Sequence, residues 1–152
     1  MQDSYANKLV VFRLGEQEFA LPIDRVQSVE STKEIKFVPN LPPAVLGIVH
    51  LREDILPVID LFTLLELAKP GGKQPDKLMV VIDRDNHYGF LVDEAKEVIV
   101  ITEEMIHSTA ITIEQFESVV TIIKMGSRLI TLLDLGELLG TVSQHPSTSH
   151  VV

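Results

Sequence analysis

The feature that most constrains this chain is a pattern that occurs in it twice. Ile55-Leu56-Pro57-Val58-Ile59-Asp60-Leu61 lies over Leu129-Ile130-Thr131-Leu132-Leu133-Asp134-Leu135, 74 positions further on. Leu64-Leu65 falls on Leu138-Leu139, and Ile48-Val49 on Ile122-Ile123, at the same offset. Upstream, Leu21-Pro22-Ile23-Asp24 matches Phe90-Leu91-Val92-Asp93 at an offset of 69, so the second half carries about five extra residues between its blocks. Any two hairpins rich in Val, Ile and Leu look alike. Here the order of elements is kept as well, which favours duplication.

Each copy reads as strands. Val10, Phe12 and Leu14 alternate, Gly15-Glu16-Gln17 breaks the run, and Phe19, Leu21 and Ile23 alternate again, the pattern of a hairpin burying one face of each strand. Val26 and Val29 open another short strand, and Pro39-Asn40-Leu41-Pro42-Pro43 is a rigid connector. In Gly47 to Leu61, two apolar β-branched runs flank Arg52-Glu53-Asp54, which places the charges at a hairpin tip. Pro57 lacks a ladder donor and predicts an edge strand or a bulge. Leu61 to Leu67 predicts a short helix capped by Asp60, and Lys69 to Asp76 is a linker.

The second half predicts hairpins over Leu78–Val92 and Val119–Leu133, a strand at Val98–Ile101, and a short helix from Asp134 to Gly140. Thr112 to Ser118 reads as one or two helical turns. Two small all-β halves result, each closing its sheet to hide the edges. A half of roughly 60–70 residues is marginal alone, so a shared apolar interface between the halves is expected.

Composition narrows the function. Apolar residues form 45% of the 152, but aromatics only 5% and without Trp, so Val, Ile and Leu must fill the interior. A net charge of -9 disfavours nucleic acid, whose phosphates would repel the chain, and suits a protein that meets other proteins. The absence of Cys excludes disulfides and thiol chemistry. The start lacks a secretory signal, and no apolar run approaches the roughly 20 residues of a membrane span. A soluble, cytoplasmic domain without membrane insertion is the expectation.

Few constellations suggest catalysis. Asp60 and Asp134, paired by the repeat, have the placement of a two-lobed aspartic protease, but no small hydroxyl residue follows either one. Capping of the helices they precede is the stronger reading. The histidines at 50, 87, 107, 145 and 150 lack metal-ligand spacing, and Gly71-Gly72-Lys73 lacks the rest of a phosphate loop. Neither metal nor cofactor is expected. Binding remains, and Arg52 at its hairpin tip is either an interface residue or a solvated arginine loosely paired with Glu53 or Asp54.

The residues VVFRLGEQEFALPIDRVQSV, VPNLPPAVLG, GIVHLREDILPVIDL, YGFLVDEAKEVI and LITLLDLGELL, taken in this order, resemble CheW-type coupling proteins of bacterial chemotaxis-like signalling. The resemblance runs from about Leu9 to Gly140. It implies two five-stranded SH3-like barrels packed together within a single CheW-like domain, residues 9–142. The subdomains would be roughly 9–68 and 76–142, with possible strand exchange, and the flexible tails 1–8 and 143–152.

The resemblance further implies a non-enzymatic adaptor that bridges the helical cytoplasmic tips of chemoreceptors to the regulatory domain of a CheA-type histidine kinase. Receptor helices would lie in the groove between the barrels, and the kinase domain, which shares the fold, would pack barrel to barrel. A small hydrolase using the duplicated aspartates, or a module that binds only the kinase, is the alternative.

Two departures from the family stand out. His50-Leu51-Arg52-Glu53 replaces the usual Asn-Leu-Arg-Gly, and Ser28 stands where the family often has glutamate. Glu30 lies on the same strand face two residues on, so Arg52 is expected to pair with Glu30 or Glu53. The partner-binding set implied is Val26, Ser28, Glu30, Gly47, His50, Leu51, Arg52 and Glu53.

Overall fold

A computed structural model of the chain describes residues 7–69, 71, 74–114 and 116–142. Two hairpins trade places in it. β1 (Lys8–Leu14) and β2 (Gln17–Pro22) open the chain, but they pair with strands of the second half. β6 (Lys77–Asp83) and β7 (Asn86–Val92) open the second half and pair with β3 (Val26–Ser31) and β5 (Asp54–Ile59) of the first. With β4 (Val45–Leu51), these make a five-stranded sheet in the order β3-β6-β7-β5-β4. The other sheet uses β8 (Glu94–Val100), β9 (Ile106–Ile113), β10 (Phe116–Met125) and β11 (Arg128–Leu132), in the order β8-β1-β2-β11-β10-β9. The leading hairpin of each half thus lies in the sheet of the other half.

The sequence repeat maps one sheet onto the other. β3, β6, β7, β5 and β4 correspond in order to β8, β1, β2, β11 and β10. Even the parallel contacts agree in register: Val58 faces Gly89 in one sheet, and Leu132 faces Ala20 in the other. The fold class is the expected one, two small β units with short helices, except that one sheet has six strands. The sixth is β9.

β9 corrects the expectation of helical turns at Thr112 to Ser118: β9 and β10 pair antiparallel from Phe116↔Ile113 to Ile123↔Ile106. Thr109, Ile111, Thr112 and Ile113 are β-branched and favour the extended chain. The first half does the same job with one bridge. Lys36 N–H donates to Ile48 O at 2.8 Å, and Ile48 N–H donates back to Lys36 O at 3.0 Å, on the outer edge of β4. A Cβ on Gly47 would overlap the Lys36 carbonyl oxygen, so only glycine admits this closing strand.

Pro57 is in an interior strand rather than on an edge. It is tolerated there because β7 meets β5 only at Val58 and Ile59, leaving no ladder partner beside the missing N–H. The tail ranges 1–8 and 143–152 fall almost wholly outside the described residues, although Lys8 already belongs to β1.

Apolar side chains gather in three clusters. Val49, Leu51, Leu56, Val58, Leu78 and Val80 fill the five-stranded unit, and Leu9, Val11, Ala20, Ile99, Ile101, Ile123 and Ile130 fill the other. The largest lies between the sheets, where Phe12, Leu14, Phe19 and Leu21 meet Ile59, Met79, Val81, Phe90 and Val92. Phe12 and Phe19 are cross-strand partners with ring centroids 5.9 Å apart. The alternation explains how β1 serves two cores: Val10, Phe12 and Leu14 face the interface while Leu9 and Val11 face their own sheet's interior. α1 (Leu61–Leu64) and α2 (Leu135–Gly140) add Leu61, Phe62, Leu64, Leu135 and Leu138 to that interface.

Candidate functional site

The β4–β5 turn has only two residues, Arg52 and Glu53, between Leu51 and Asp54. Positive φ falls on Arg52, at 57°, and not on Glu53. The equivalent position in the second copy is Gly126, with φ of 61°. The turn therefore asks for a left-handed residue first, and the glutamate that replaces the family's glycine carries no backbone strain. Arginine holds the strained position instead, at about 1 kcal/mol.

The Arg52 side chain crosses to the opposite edge of the sheet. Its Nη2 lies 3.0 Å from Glu30 Oε2 on β3, and the Ser28 hydroxyl donates to the same oxygen at 3.1 Å. Glu30 and Ser28 face inward, opposite Leu78 and Val80, so the carboxylate sits at the mouth of the unit and is only 17% exposed. The hydroxyl at position 28 thus steadies the carboxylate placed two residues later. Of the two expected partners for Arg52, Glu30 is the one found.

The expected partner-binding residues divide into two groups. Arg52, at 65% exposure, is accessible together with His50 and Glu53. Leu51 is a core residue at 6% exposure and anchors the turn from inside, so it offers no contact surface. Gly47 serves the close approach of Lys36, and Val26 packs against the interface cluster. Sequence reading missed Ile55, opposite His50, which points outward beside the tip and is exposed. Alternation held the signal, since Val49 and Leu51 face in and their neighbours must face out.

A second feature lies where the chain passes from one sheet to the other. Pro22 and Arg25, flanking that crossover, line an open groove of about 600 Å³ with Val119, Val120, Leu132 and Leu133. Asp134 and Glu137 place acidic groups at its border. Thr121 and Thr131 complete a lining of mixed character, and the groove runs beside the junction of the two units.

The duplicated aspartates are consumed by structure. Asp60, 5% exposed, accepts from Phe62 N–H at 3.1 Å and the Thr63 hydroxyl at 2.9 Å, and pairs with Lys69 Nζ at 2.7 Å. Asp134 accepts from Glu137 N–H at 3.0 Å. Each caps the helix it precedes.

The charged groups of the six-stranded unit stopper its other mouth, on the faces that line its core. Arg128 Nη2 donates to Glu18 at 2.6 Å and to Glu97 at 2.8 Å, and Arg13 Nη1 donates to Glu94 at 2.6 Å. The bond from Arg13, with help from Lys96, lowers the Glu94 carboxyl pKa below its ordinary value, and the bond from Arg128 lowers that of Glu97. Arg128 is held still more firmly protonated by its two carboxylates.

A profile of the CheW-like domain matches residues 8–143. The chain belongs to the CheW-like domain family. It is 33% identical over 101 residues to the chemotaxis protein CheW of Bacillus subtilis, a match covering 66% of this chain and 65% of that one. It is 32% identical over 103 residues to a probable chemotaxis protein CheW of Rhizobium etli, covering 67% and 66%. The matches thus span just under two thirds of these relatives' lengths. The crystal structure of the scaffolding protein TtCheW from Thermoanaerobacter tengcongensis superposes with a TM-score of 0.76 at 28% identity, over 92% of this chain and 97% of that one. The CheW family is one of adaptors rather than enzymes, in keeping with two aspartates spent on helix caps. No helix among the described residues is long and apolar enough to cross a membrane.

Proposed function

We propose that the chain is a cytoplasmic coupling adaptor that joins chemoreceptor tips to a CheA-type histidine kinase. The groove beside the sheet junction takes the receptor's helical tip, since its valines and leucines suit the apolar face of an amphipathic helix and its acidic border the polar one. The tip around Arg52, with His50, Glu53 and the exposed Ile55, meets the kinase regulatory domain barrel to barrel. The observation that carries this reading is the separation of the two surfaces. The groove starts at the Arg25 end of β3, whereas Glu30 and Arg52 lie at its other end. An adaptor needs both sites open at once.

Titration of the full chain with a kinase regulatory domain and, separately, with a receptor cytoplasmic fragment tests this. Arg52→Glu should weaken the kinase complex roughly tenfold or more and leave receptor binding within about twofold. Equal loss on both titrations would place Arg52 outside a dedicated kinase surface.

A further inference from the structure

The sheet edges are shielded unequally. β3 and β4 are linked by the Glu30–Arg52 pair, and the bridge from Lys36 covers β4. β8 carries Glu94, Lys96 and Glu97, all in ion pairs. Among the described residues β9 has neither protection. It ends its sheet, and Ile106–Ile113 contains no Asp, Glu, Lys, Arg or Pro. All of its residues except Ile111 are exposed. A long uncharged edge with a free row of N–H and C=O groups is a template for another strand.

The ribbon also stands clear of the sheet. β10 pairs with β11 only from Thr121 onward, while Phe116 to Val120 pair with β9 alone. Ile113 and Val119 on this ribbon are 63% and 70% exposed. Such side chains can cover an added strand from both faces.

Charge decides what kind of strand fits. Glu103 and Glu104 are exposed just before β9, and Glu114 is exposed just after it. The edge is neutral along its length and acidic at both ends. A second copy fits poorly, because antiparallel pairing of two β9 edges brings the Glu103–Glu104 end of one copy beside the Glu114 end of the other, and the like charges repel. We infer that β9 receives an extended segment of a partner protein, uncharged and β-branched in its middle and basic at both ends. This edge is separate from the Arg52 tip, and it adjoins the groove, with which its ribbon shares Val119 and Val120.

The probe is a synthetic peptide of alternating threonine and valine flanked by paired lysines, added to the full chain. Two controls carry glutamate flanks or N-methylated backbone amides. The lysine-flanked peptide should bind saturably and slow hydrogen exchange of amides within 106–113. Glutamate flanks should weaken binding roughly tenfold or more, and N-methylation should abolish it. Changing the surface residues Glu103, Glu104 and Glu114 together to lysine should invert the preference between flanks. Equal binding of the N-methylated peptide, or no protection of 106–113, overturns the inference. So does a peptide-free dimer whose β9 amides are already protected, since the occupant is then a second copy.

Discussion

Arg52 Nη2 lies 3.0 Å from Glu30 Oε2, and the pair joins the first and last strands of the five-stranded sheet. One side chain therefore takes a left-handed backbone position, spans the mouth of a β unit and remains exposed beside an apolar patch. The backbone role belongs to both copies of the repeat, because Gly126 fills it in the second. The guanidinium belongs to the first alone, and the proposed kinase contact rests on it.

Arg52→Gly separates those roles. Glycine relieves about 1 kcal/mol of left-handed strain and loses an exposed ion pair worth about 0–1 kcal/mol. Chemical denaturation should find the variant within about 1 kcal/mol of the parent. Its binding to the kinase regulatory domain should still fall as it does for Arg52→Glu. A variant that loses binding only by unfolding would contradict this.

Gly47→Ala and Gly126→Ala should rank in a definite order. At Gly47 a methyl collides with the Lys36 backbone and breaks the closing bridge, for a loss of about 2–3 kcal/mol. At Gly126 the space is open and only the φ of 61° resists, for about 1 kcal/mol. Denaturation midpoints at matched slopes measure the order directly.

Acid should loosen the six-stranded unit. The Glu94 and Glu97 carboxyls are depressed by Arg13 and Arg128 from an unfolded value of 4.5. Their contribution is fully present above that value and is lost as pH falls through the lower folded values. Denaturation at a series of pH values should show stability declining below about 4.5, with a shallower decline in the Glu94→Gln, Glu97→Gln double variant. Added salt should shrink the difference between them, because both groups are solvent-exposed.

Much of the fold was legible because it is written in alternation. The Val10 and Phe19 hairpin, the caps at Asp60 and Asp134 and the duplicated order of strands all follow from local pattern. The reciprocal placement of the leading hairpins was not legible beyond a possibility. Strand patterns fix which face is buried but not which sheet receives it, and β1 has an apolar residue on nearly every position because it serves two cores. β9 was misread because its faces are both exposed, so no in-out period marks it. Of the expected site, Arg52 and Glu30 were found paired, whereas Leu51 and Gly47 proved to be architecture. The resemblance implied a groove between the barrels, but its lining was not legible, since Pro22, Val119 and Asp134 meet only through the tertiary fold.

The two aspartates should differ as caps. Asp60→Ala strands a buried backbone donor, the Thr63 hydroxyl and the Lys69 ammonium, for about 2 kcal/mol or more. Asp134→Ala removes one capping bond, for about 1 kcal/mol. Asp60→Ala should keep its binding partners when folded, whereas Asp134→Ala also removes an acidic group from the groove border, and thermal unfolding paired with titration will check both.

Coupling requires both surfaces to be engaged together. Analytical ultracentrifugation of the full chain with a kinase regulatory domain and a receptor cytoplasmic fragment reads this out. A ternary species is expected, with Arg52→Glu removing the kinase domain from it and leaving the receptor fragment bound. Mutually exclusive binding, or binding to neither, would rule out an adaptor with two open sites.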